Sequence, residues 1–82
     1  MDKETKFEEA REREDLIQTI CENIYEAMCE TEMSAARLSE ITGVPVRSIQ
    51  RYMRGDAMPR LDYLYVIAHA MGRTVGQLVD DE

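Results

Sequence analysis

The sequence predicts an all-α fold, and three observations carry the prediction. Apolar residues recur at steps of three and four, as in Leu16, Ile17, Ile20, Cys21, Ile24 and Met28. No segment alternates apolar and polar residues with the period of two that a half-buried strand requires. The turn signals Thr42-Gly43-Val44-Pro45, Arg54-Gly55-Asp56-Ala57-Met58-Pro59 and Gly72 fall between stretches of helical length. Together they divide the chain into five helices. Its 82 residues make one domain at most. Helices of about 8 to 15 residues do not persist alone, so the five must share one core.

Residues 1–15 form a charged arm with only Phe7 and Ala10 apolar at helical spacing, and Glu9 and Arg13 make a favourable i, i+4 pair. The arm is a frayed helical extension or a disordered segment, and residues 16–82 form the domain. The first helix turns the stripe Leu16 to Met28 inward and leaves Glu22, Glu26 and Glu30 to solvent. A second helix near 34–41 directs Ala35, Leu38 and Ile41 inward. A third, near 45–53, buries Ile49 with Tyr52 and Met53. Pro45 holds Val44 out of the helical region and suits a helix start. A fourth helix carries Leu61, Leu64, Ile67, Ala68 and Met71 inward and stops at Gly72. Thr74 and Gln77 have capping-box spacing and open a short fifth helix with Val75, Leu78 and Val79 inward.

Composition and charge exclude several classes. Apolar residues at 44% are enough for a core, and no apolar run nears the roughly 18 residues of a membrane span. The N-terminus has no apolar signal region, so a soluble, cytoplasmic protein is expected. Cys21 and Cys29 lie eight residues apart on one helix, about 12 Å, too far to bridge. They are read as buried or half-buried thiols of a reducing compartment. A single His supplies no metal-ligand set, and His69 falls on the solvated side of the fourth helix. No nucleophile–base constellation and no phosphate-binding glycine loop can be assembled, so neither an enzyme nor a cofactor is expected. Arg54-Gly55-Asp56 is a turn, not an adhesion motif. The six methionines read as adaptable core, and Tyr63 and Tyr65 as rim or interface residues.

The net charge of −7 rules out a generic basic coat for nucleic acid. Yet residues 34–60 carry Arg37, Arg47, Arg51, Arg54 and Arg60 against Glu40 and Asp56, a local +3. The Debye length at physiological salt is about 8 Å and a helix is about 10 Å across, so acids on a far face are largely screened. Within this basic stretch, two short helices flank a glycine turn, which is the helix-turn-helix arrangement. Ser39 keeps the helix crossing small and Gly43 supplies a positive φ. With Leu38, Val44 and Ile49 inward, Val46, Arg47, Gln50 and Arg51 face out. Arg bonds bidentately to guanine and Gln to adenine in the major groove, and Val46 can meet a thymine methyl or cap the core.

The stretch Ser34-Ala-Ala-Arg-Leu-Ser-Glu-Ile-Thr-Gly-Val-Pro-Val-Arg-Ser-Ile-Gln-Arg-Tyr-Met-Arg-Gly resembles the phage lambda repressor-like (Cro/CI, Xre-type) helix-turn-helix family. The resemblance extends through Pro59, Leu61, Leu64, Ile67-Ala68, Met71-Gly72 and Leu78, about residues 16–80. It implies a five-helix repressor-like bundle acting as a homodimer on a palindromic DNA operator, with the third helix in the major groove. The implied base readers are Val46, Arg47, Gln50 and Arg51. The implied phosphate contacts are Ser34, Ala35, Arg37, Arg54 and Arg60. Many members carry Gln at the position of Ala35, so that clamp is weakened here. Many also pair an Arg in helix 1 with a Glu ending helix 3, where this chain has Met28 and Met53. Both partners are apolar together, so no charge is orphaned. The implied dimer surface is the fifth helix with the loop before it.

The function expected is a sequence-specific DNA-binding transcriptional regulator, a Cro-like repressor without a separate sensor domain. The alternative is a protein-interaction module on the same fold, antitoxin-like or an accessory partner. In that reading the acidic arm docks a basic protein.

Overall fold

The computed structural model describes the backbone of residues 3–80 and the side chains of residues 13–80. Five α-helices follow one another: α1 (Lys3–Glu30), α2 (Ala35–Thr42), α3 (Val46–Met53), α4 (Leu61–Ala70) and α5 (Val75–Val79). Among the described residues there is no strand. α1 packs on α3 and α5, α2 on α3 and α4, and α4 on α5. Every helix contributes to one core: Ile20, Ile24 and Met28 from α1, Leu38 from α2, Ile49 and Tyr52 from α3, Leu64 and Ile67 from α4, and Leu78 from α5.

The ends of the helices explain how so short a chain turns four times. Ser34 caps α2, its hydroxyl accepting the Arg37 N–H at 3.1 Å. Gly43, at φ 80°, ends it and donates its N–H to the Ser39 carbonyl at 2.8 Å. Thr42 closes the turn by donating to the Leu38 carbonyl at 2.7 Å and accepting the Val44 N–H at 3.1 Å. Val44 is thereby driven into the core, 1% exposed. α4 ends in a Schellman motif: Gly72 donates to His69 and Arg73 to Ala68. The capping box of α5 is present, with Thr74 and Gln77 each bonding the other's N–H.

Several sequence expectations shift. α1 is continuous from Lys3, so the described part of the arm is a helical extension rather than a separate segment. The Glu9–Arg13 pair lies outside the described side chains. Leu16, Ile41 and Leu61 do not point into the core; they are 44%, 48% and 74% exposed. Pro45 is the cap of α3 rather than its first residue. Cys21 is buried as expected, but Cys29 is exposed, and both thiols are free. Burial, and secondarily the Asp56 charge, pushes the Cys21 thiol above its ordinary pKa.

Two polar ties fix α1 against the far end of the chain. The Asn23 amide donates to the Leu78 carbonyl at 2.7 Å and the Asp80 carbonyl at 2.9 Å. Arg73 bonds Glu30 and the Met71 carbonyl. No described helix is long and apolar enough to cross a membrane.

Candidate nucleic-acid interface

α3 has two faces with opposite properties. Ile49 and Tyr52 are buried, while Val46, Arg47, Gln50 and Arg51 are all exposed. Steps of three and four put positions 47, 50, 51 and 54 on one side of the helix axis. Arg54 extends that row, its Nε donating to the Gln50 carbonyl at 3.3 Å. Among the described residues, the side chains of Arg47, Gln50 and Arg51 have no hydrogen-bond or ion-pair partner. Arg51 therefore does not pair with Glu40, the nearest acid of α2 to it in sequence. Glu40 instead lies 3.5 Å from Arg37, within α2.

The flanking positions are differently held. Ser34 spends its hydroxyl oxygen on the α2 cap and keeps its proton free to donate. Ala35 opens α2 half-buried, so it offers a ligand only its backbone N–H. Arg54 lies 3.8 Å from Asp56. Arg60 is the cap residue of α4 but makes no side-chain cap. Its guanidinium bonds Asp62 at 3.1 Å and lies 4.9 Å over the Tyr63 ring. Asp62 also accepts the Tyr63 N–H at 3.0 Å, which occupies a free donor of the first turn. Sequence reasoning missed these partners of Arg54 and Arg60. The acids stand two residues on in each case, and that local spacing was the available signal.

Tyr52 is buried beneath the α3 surface. Its phenol is pushed up by burial and by Tyr63, while the Arg60 backbone and the charges of Arg51 and Arg60 pull it down. Met28 is buried and Met53 half-buried against the core, so the position where a buried ion pair is common is apolar on both sides. Among the described residues no His, Cys, Asp and Glu cluster suits a metal ion.

An exposed, unpartnered Arg/Gln face on the second helix of a glycine-turned pair is what separates a DNA-reading unit from a helical corner of similar shape. A helix-turn-helix family model matches residues 24–78, two thirds of the chain. The chain belongs to the Cro/CI-type helix-turn-helix family. Comparison with curated proteins and with solved structures gives no match. In this helix-turn-helix protein the family match begins at Ile24, so the N-terminal part of α1 lies outside it. The family is one of DNA-binding regulatory domains.

Proposed function

We propose that this helix-turn-helix protein is a sequence-specific transcriptional regulator of the repressor type, with α3 reading the major groove. One observation carries the reading: Arg47, Gln50 and Arg51 stand exposed together on α3, with no partner among the described residues to occupy them. Arg47 and Arg51 are assigned to guanine edges, Gln50 to adenine, and Val46 to a thymine methyl. Ser34, the Ala35 N–H, Arg37, Arg54 and Arg60 are assigned to phosphates, which orient the domain without reading sequence. A palindromic operator read in two half-sites about 34 Å apart calls for a homodimer. The net charge of −7 removes long-range steering, so affinity depends on close contact and falls steeply with salt.

The test is selection of random duplex DNA by the purified protein across a salt series, with sequencing of what is retained. An enriched palindrome with salt-sensitive affinity is the expected result. A folded protein that enriches nothing at low salt sinks the reading, and the arginine face is then a docking surface for an acidic protein.

A further inference from the structure

α1 is far longer than the body it packs on, and one of its faces is open. Along its side toward α3 runs a groove of about 680 Å³, lined by Ile17, Cys21, Tyr25 and Met53 and ending at Arg54 and Gly55. Glu14, Glu22 and Glu26 stand along the α1 side of this groove. From Glu14 to Glu26 the helix rises about 18 Å. Lys3 to Asp15, the part of α1 before the globular body, has the same length and so can fill it end to end.

Two features of the sequence say what fits. Phe7 and Ala10 precede Cys21 and Ile17 by multiples of seven, so the apolar register of the groove continues into the arm. Charge then sets the direction. Residues 3–13 hold Lys3, Lys6, Arg11 and Arg13, balanced by four acids. The rest of α1, residues 14–30, holds five acids and no base. Two such helices laid parallel set acid against acid. Laid antiparallel, each base-bearing half meets the acidic half of its neighbour. A straight helix cannot fold its own arm back into its own groove, so the occupant comes from another molecule.

We propose that the α1–α3 groove is a self-association site, filled by the N-terminal half of α1 from a second copy in an antiparallel, two-fold arrangement. Each copy gives one arm and one groove, so the contact closes at two molecules. The site is separate from α5 and takes the place of that surface as the dimer contact, and the inference does not depend on the DNA reading.

Sedimentation equilibrium on the full chain, with thermal melting as the check on folding, tests it. The wild type is expected to dimerise. Phe7→Asp lies beyond the described core and is expected to raise the dimer dissociation constant by at least about tenfold, with a Tm that matches the wild type at concentrations where both are monomeric. Converting Lys3, Lys6, Arg11 and Arg13 together to Glu is expected to give monomers. Glu14, Glu22 and Glu26 converted together to Lys should do the same. Both sets in one chain restore the dimer, because the swapped charges attract again. A wild type that stays monomeric overturns the proposal. So does a dimer indifferent to both charge sets, or a doubly swapped chain that fails to re-form one.

Discussion

The five arginines of residues 34–60 divide into two groups. Arg47 and Arg51, on α3, have no protein partner among the described residues. Arg37, Arg54 and Arg60 each lie within 4 Å of an acid: Glu40, Asp56 and Asp62. All five are exposed, so the difference is not burial but local spacing. An acid two or three residues along the chain can reach back to its arginine. On α3 no acid occurs at all between Val46 and Met53. Exposed pairs of this kind contribute at most about 1 kcal/mol, so they hold a guanidinium in place without withdrawing it from a stronger anion. The unpaired group suits contacts that must be made afresh with each base edge. The paired group suits phosphates, which are present at every position of every duplex.

The largest effect on this contrast comes from removing the platform beneath it. Ile49 is fully buried under the α3 face. Ile49→Ala is expected to cost about 2–5 kcal/mol of stability, a large part of what an 82-residue domain has. Both groups should then lose DNA together, in step with a lowered Tm in a melting experiment.

Arg47→Ala separates the groups. Affinity for the selected operator is expected to fall by about 1–3 kcal/mol, with preference relaxed at one base pair and Tm unchanged. Equal losses on operator and random duplex, in a titration of both, would move Arg47 into the phosphate group. Arg54→Ala should do what Arg47→Ala does not. Binding to all sequences weakens alike, and the slope of log affinity against log salt flattens by about one unit.

The division between legible and illegible features follows the same physics. The five helices, the Gly43 turn, the Thr74 capping box and the outward Arg47-Gln50-Arg51 row were all readable, because each depends on spacing within a few residues. Ile41 and Leu61 were misplaced because helical spacing gives a direction around the axis, not the height at which the neighbouring helix ends. Ile41 is in the last turn of α2 and Leu61 in the first turn of α4. Cys29 is exposed because it lies on the opposite side of α1 from the buried Ile20, Ile24 and Ala27. The partners of Arg54 and Arg60 were near in sequence, but both lie at helix or turn boundaries, where no helical rule pairs them. The Asn23 contact to the α5 carbonyls spans more than fifty residues and had no sequence signal.

The smallest change sharpens the comparison most, because it makes a paired arginine resemble an unpaired one. Asp56→Asn removes the acid beside Arg54 and leaves the Arg54 bond to the Gln50 carbonyl intact. Affinity for every duplex should rise by up to about 1 kcal/mol, without any change in the preferred sequence. Asp62→Asn should give less. Tyr63 still lies under the Arg60 guanidinium, and the Asn amide oxygen can still accept the Tyr63 N–H. Asp56→Asn also carries an internal check in the Cys21 thiol. Burial is the main cause of its raised pKa and Asp56 the lesser one, so the variant should lower that pKa while leaving it above the ordinary value. A thiol titration that moves this way, with no gain in DNA affinity, would show that the Asp56 charge was removed but was never what restrained Arg54. Arg54 would then belong with the arginines that wait unpaired.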